Sequence, residues 1–267
     1  MVRLLNTTKY IYTEKLKRMK KIFGIALFVA ASFASTAQDI TVEEIVDNYL
    51  EAIGGREAWS KVNGHKMIAS ASVQGMDLPI VSIELKDGRQ ITTYTFQGQD
   101  MVQGAFDGET LWSTSFMTMK AEKGDSEDAE NVKRSIGEYP DPFMTYKDKG
   151  YTVELDGEDV KDGVDCYKVK MNKGKRLVEG EEVDQIAYYY FDKETFVPIV
   201  IETEVLKGQM KGQMSSTLMS DYQEVDGLYY PFSISQGGDF GSFTLTVEEI
   251  ILNPEVKDDQ FAFPGEE

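Results

Sequence analysis

The residues able to do chemistry are few. The 267-residue chain carries one His, His65, and one Cys, Cys166. A single His cannot build a two- or three-histidine metal site, and it leaves a Ser-His-Asp triad only one candidate base. A single Cys excludes an internal disulfide framework and a multi-cysteine zinc site. His65 stands beside Lys66 near a strand start with no nucleophile motif adjoining, the setting of a surface histidine. Cys166, in the strand-like run Asp165-Cys166-Tyr167-Lys168-Val169, reads as a small buried hydrophobe.

Carboxylates are the opposite case. With 46 Asp and Glu in the chain, adjacent pairs arise by chance. Glu43-Glu44, Glu127-Asp128 and Glu179-Gly180-Glu181-Glu182 therefore make weak glycosidase dyads and good solvated faces. The run Asp156 to Asp165 lacks the ligand spacing, sixth-position Gly and closing Glu of an EF-hand loop, and two hairpin turns explain it better. Gly54-Gly55, Gly237-Gly238 and the Gly208 to Gly212 run have no strand-loop-helix context for phosphate. The residues make no positive case for an enzyme, and no cofactor or metal is implied. An acidic-residue hydrolase stays open only because carboxylates distant in sequence can meet in space.

Composition narrows the partners. Lys plus Arg number 28 against 46 acidic residues, a net charge of -18, which suits a solvated surface and not a nucleic acid. Hydrophobic residues at 41% suffice for a real core.

An export signal is expected from Met19 onward, behind an upstream extension. Met19-Lys20-Lys21, the apolar run Ile22 to Phe33 and then Ser35-Thr36-Ala37-Gln38 form the n-region, h-region and cleavage site of a secretory signal peptide. The run is shorter than the ~20 residues a membrane span needs. Cleavage after Ala37 leaves a mature chain, 38–267, read as one domain with no membrane segment. No Cys follows the h-region, so an acylated terminus is not expected.

A helix and a long series of strands follow. Thr41 and Glu44 make a capping box, Val42, Ile45, Val46, Tyr49, Leu50 and Ile53 share one face, and Gly54-Gly55 stops the helix. From Met67 the sequence alternates, with Met67, Ala69, Ala71 and Val73 on one side. Strands are predicted at 80–86, 90–97, 101–106, 110–116, 152–155, 164–171, 185–191, 197–206, 214–222, 229–235 and 243–250. Asp-Gly pairs at 87, 107, 156, 162 and 226 supply turn chemistry between them. Short turns between successive strands predict a curved antiparallel sheet, mainly β, that curls into a barrel or half-barrel. Residues 121–144 break the pattern. They are polar and acidic, with a helix predicted at 126–136 before Pro140-Asp141-Pro142, and they read as a lid or a mobile loop.

Twelve Met and many strand Tyr and Phe suit either an adaptable apolar ligand surface or gap-filling in a large sheet. Ala69 and Ala71, small where a filled barrel would place larger residues, favour a cavity.

The chain resembles the LolA/LolB-like superfamily of periplasmic outer-membrane lipoprotein-sorting proteins. The residues that carry the resemblance are the helix ending Tyr49 to Gly55 with Trp59, Phe106-Asp107-Gly108 before Leu111-Trp112, and Lys149-Gly150-Tyr151. Further on are Asp162 to Tyr167, Tyr190-Phe191-Asp192 with Pro198, Ser220-Asp221-Tyr222, Val225-Asp226-Gly227, Tyr230-Pro231-Phe232, Asn253 and Phe261 to Pro264. The resemblance implies an incomplete barrel, closed by a helical lid, around an apolar cavity that takes acyl chains. It implies that Arg89 couples lid opening to cargo exchange. The acidic lid departs from the dedicated carriers.

The expectation is a non-enzymatic periplasmic carrier or binding protein for a lipid or the acyl chain of a lipoprotein, with Met67, Ala69, Ala71, Val73 and Arg89 as cavity residues. The alternative is an envelope protein-interaction or signalling module of the same fold with a filled interior.

Overall fold

Thr41 opens the first helix, α1 (Val42–Ala52), through the capping box. Its hydroxyl accepts from the Glu44 N–H at 3.2 Å while the Glu44 carboxylate accepts from the Thr41 N–H at 2.8 Å. Ile45, Val46, Tyr49 and Leu50 form its buried face. Gly54 and Gly55, both at positive φ, end it. A side chain at Gly54 would stand 2.5 Å from the Gly227 carbonyl, so this stop also lets a distant strand turn approach. The short helix α2 (Arg56–Ser60) follows and buries Trp59.

The computed structural model describes residues 40–73, 76–238 and 241–265. The expected signal peptide at 1–37 and the Val73 side chain lie outside the described residues. Thr41 onward is a single unit. Its first strands are β1 (Gly64–Val73), β2 (Met76–Leu85), β3 (Gln90–Phe96), β4 (Gln99–Phe106), β5 (Leu111–Thr114) and β6 (Ala121–Lys123). After a helical segment come β7 (Thr152–Lys161), β8 (Val164–Val178), β9 (Glu181–Asp192) and β10 (Pro198–Glu204). The last are β11 (Met214–Val225), β12 (Leu228–Gly238) and β13 (Gly241–Leu252).

All 13 strands join one sheet in the order β6-β5-β4-β3-β2-β1-β13-β12-β11-β10-β9-β8-β7. Every pairing is antiparallel, and only β1 with β13 joins strands distant in sequence. The sheet does not close. It is the curved, incomplete barrel expected from the sequence.

β6 and β7 are consecutive in the chain yet stand at opposite edges. Residues 124–151 must therefore cross between those edges, and they carry α3 (Ser126–Ser135) and α4 (Pro142–Thr145). α3 buries no residue, whereas α4 buries Phe143 completely. The Phe143 ring meets Tyr189 at 4.8 Å, Phe191 at 5.5 Å and Tyr49 at 5.9 Å between centroids. One aromatic thus anchors the crossing segment.

Three local expectations need correction. Asp156-Gly157 is not a turn but lies inside β7, where the register with β8 shifts between Leu155 and Glu158 and Gly157 takes φ +101°. The glycine makes a bulge within the ladder. Asp162-Gly163 and Asp226-Gly227 do form tight turns, with φ positive at both residues. β8 and β9 run well past their predicted ends because an irregularity between Asn172 and Lys175 lets the hairpin continue through charged residues.

Candidate functional site

On one face of the sheet, cross-strand partners form an apolar floor. Met67 pairs with Ile250, Met219 with Ile234, and Tyr189 with Ile201. Directly opposed residues of an antiparallel pair point to the same face. These six side chains line a cavity of about 270 Å³. Tyr49, Ile53 and Trp59 contribute from the N-terminal helices, and Pro140 and Asp141 from the crossing segment.

The remaining wall is polar and almost fully engaged. The Tyr222 hydroxyl donates to the Pro198 carbonyl at 2.7 Å, and Trp59 Nε1 donates to the Ile53 carbonyl at 3.0 Å. The Asp141 carboxylate caps α4, accepting from the Phe143 N–H at 2.7 Å, and accepts from the Tyr49 hydroxyl at 2.8 Å. Burial pushes the Asp141 carboxyl above its ordinary value, against the pull of Tyr49, Phe143 and Lys173. Lys173 is itself held by Glu138 at 2.6 Å, and Tyr151 donates to the other Glu138 oxygen.

His65 Nδ1 and the Tyr139 hydroxyl share a hydrogen bond of 3.0 Å, with the rings stacked. Burial lowers the imidazole pKa more than nearby Glu84 restores it, so the ring is neutral at pH 7. The expected surface histidine is therefore a partly buried one on the cavity wall. The reason is that β1 starts at Gly64, which puts His65 on the face of Met67.

One polar group is left over. Among the described residues the buried Tyr230 hydroxyl finds no hydrogen-bond partner, and the residue is only 9% exposed. An unsatisfied buried hydroxyl costs ~1–3 kcal/mol, so it is a feature to account for. Its ring tilts against Trp59 and His65, and Glu84 lines the same cavity.

Of the residues singled out in the sequence, Met67 lines this cavity. Ala69 and Ala71 follow on the same strand face, 2% and 3% exposed, and are not part of its lining. Arg89 is not in the cavity. It bonds Asp87 and Asp258 and stands 5.3 Å from the Phe261 ring, beside the Ile83, Leu85 and Phe261 cluster on the other face. Arg89 also borders a recess of about 200 Å³ between the β2–β3 turn and Ser135 to Pro142. Cys166 is fully buried against Tyr190 and Val200, as a small hydrophobe would be.

Sequence reading missed Tyr230, Asp141 and the roles of Tyr49 and His65. Pro140-Asp141-Pro142 could have signalled a helix cap, since Asp before Pro is a common N-terminal pair. No group of three or more His, Cys, Asp or Glu gathers as a metal site among the described residues. No described helix is long and apolar enough to cross a membrane.

α3 is held to the sheet by polar bonds. Asn131 donates to the Leu177 carbonyl and accepts from the Leu177 N–H, each at 2.8 Å, in the manner of a ladder pair. Glu127 accepts from the N–H groups of Glu179 and Gly180, and Lys207 bonds both Glu127 and Asp128.

No family profile matches the chain. No curated protein matches it either. Solved structures do. A LolA superfamily protein from Nitrosomonas europaea superposes with a TM-score of 0.51 at 10% identity, covering 84% of this chain and 98% of that one. A domain from Vibrio parahaemolyticus named for outer membrane lipoprotein sorting gives a TM-score of 0.47 at 10% identity, covering 81% and 97%. With its open antiparallel sheet and crossing helices, the chain has the LolA-like fold.

Proposed function

We propose that the protein is an exported, non-enzymatic carrier or binding protein that takes the acyl part of a lipid, or of another acyl-bearing molecule, into the cavity over Met67 and Ile250. The observation that carries this reading is an apolar floor bounded by one buried hydroxyl, that of Tyr230, with no partner among the described residues. A ligand with a hydrogen-bonding group would complete it. The LolA-like fold supports the reading without deciding it, because function resides in the site.

Each chain CH₂ buried on the floor contributes ~0.8 kcal/mol. At about 270 Å³ the cavity is smaller than the ~300–1,000 Å³ of ordinary ligand pockets. A long chain therefore requires space beyond it, or movement of the crossing segment. His65 is a poor general base here, since its Nδ1 bond is to a phenol and no Ser or Cys lies beside it in the cavity.

The test is mass spectrometry of organic extracts from protein purified natively from the envelope fraction. A stoichiometric acyl-bearing molecule is expected. Protein free of any extract, and indifferent to added acyl probes, would favour the interaction module. Export is tested by N-terminal sequencing of the protein from the periplasmic fraction, which should begin at Gln38.

A further inference from the structure

Tyr189 and Ile201 line a second cavity as well, of about 330 Å³, on the side toward Ala187, Thr203 and Leu206. Lys173 and Arg176 are its two cations, and Lys175 and Arg134 stand nearby. Lys173 is taken by Glu138, neighbouring Lys175 by Asp184 at 3.0 Å, and Arg134 by Glu182 and the Lys175 carbonyl. Among the described residues Arg176 enters no ion pair, and its enclosed Nε has no hydrogen-bond partner.

Arg56, Arg89 and Arg134, the other described arginines, each pair with a carboxylate. Acidic residues outnumber basic ones 46 to 28, yet this guanidinium on a cavity wall lacks a carboxylate. Of the two carboxylates on the same wall, Asp184 is occupied by Lys175 and Asn172, and Glu204 is exposed to solvent. An unmet guanidinium N–H is costly, and the guanidinium plane is suited to bidentate carboxylate or phosphate.

We propose that Arg176 is the head-group site for a single-chain anionic amphiphile, whose chain runs past Tyr189 and Ile201 into the apolar cavity over Met67 and Ile250. The proposal rests on the acyl-binding reading and specifies its ligand. The shared chemistry is an anionic oxygen head on one alkyl chain.

The test is titration of the full chain with dodecanoate, dodecyl phosphate and dodecanol, comparing the parent with Arg176→Met and Arg176→Lys. The parent should bind at least one anion more tightly than the alcohol. Arg176→Met should lose about tenfold or more in affinity for that anion and nothing for dodecanol, with partial recovery in Arg176→Lys. A loss confined to dodecanoate assigns a carboxylate head, and one confined to dodecyl phosphate assigns a phosphate head. Unchanged anion affinity in Arg176→Met, or an equal loss for the alcohol, overturns the head-group site and leaves the apolar cavity standing. No binding of any of these ligands by the parent removes both readings.

Discussion

The Tyr49 hydroxyl donates to the Asp141 carboxylate across 2.8 Å, joining two residues 92 positions apart. It ties the first helix to the segment that crosses between the sheet edges, next to the Phe143 anchor. The carboxylate also caps α4, so it is a structural acceptor on the cavity wall and not a free acid.

Asp141→Ala should cost ~2–4 kcal/mol in chemical denaturation, from a lost cap and a stranded Tyr49 hydroxyl. Asp141→Asn keeps a cap acceptor, and its amide can donate to the phenol, so it should stay within ~1 kcal/mol of the parent at neutral pH. The Asp141 pKa is raised in the fold, so the native state holds its proton to higher pH than the unfolded chain does. The parent should therefore gain on Asp141→Asn as pH falls from neutral toward the ordinary Asp value of 3.8. An advantage that shrinks on acidification would contradict the burial of this group.

His65 is the only histidine, so its ring signals can be followed by NMR without assignment. The titration midpoint should lie below the ordinary 6.5. A lowered histidine pKa means that the unfolded chain takes up the proton first. Stability should thus be full above 6.5 and decline as pH falls from there to the folded midpoint. His65→Gln should flatten that decline, read as denaturation midpoints across the interval.

Cavity and packed wall can be told apart along a single strand. Met67→Trp should fill ligand space, lowering the affinity for an acyl probe while changing melting little. Ala69→Trp and Ala71→Trp enter closed surroundings and should cost ~1–3 kcal/mol each by overpacking. Equal thermal behaviour of all the variants would place the alanines beside open space as well.

The α3 latch predicts an exchange pattern. Amides of Ser126–Ser135 should exchange faster than those of β8, because the helix buries no side chain. Asn131→Ala should speed exchange in α3 further and leave global melting nearly unchanged. Protection in α3 matching that of β8 would mean that the segment does not open independently.

α1 was legible because every signal is local: Thr41 and Glu44 for the cap, the 3.6-residue apolar spacing, and the two glycines at the stop. Most strands were legible from alternation, but not their ends. The strand predicted at 164–171 stops short of Lys175 and Arg176, which become strand by pairing with Asp184 and Val183 of β9. The Asp-Gly turns at 162 and 226 were correct for the same chemistry that misled at 156, since positive φ serves a bulge as well as a turn. The site resisted reading for a different reason. Tyr230 matters through a partner it lacks, and Tyr49 meets Asp141 only through the crossing of residues 124–151, neither of which has a spacing to detect.

The bulge at Asp156-Gly157 has a bearing on crowding in solution. An open sheet leaves two outer strands whose free N–H and C=O groups can recruit strands from other molecules. Here β6 is only three residues long and ends in Lys123. β7 interrupts its regular ladder at Gly157 and presents exposed Glu154, Asp156, Glu158 and Asp159. A foreign strand would meet a kinked backbone and a hydrated row of charged side chains, in which Asp156, Glu158 and Asp159 pair with Lys168, Lys193 and Lys161, so the rims that leave the half-barrel open also guard it against self-association into fibrils.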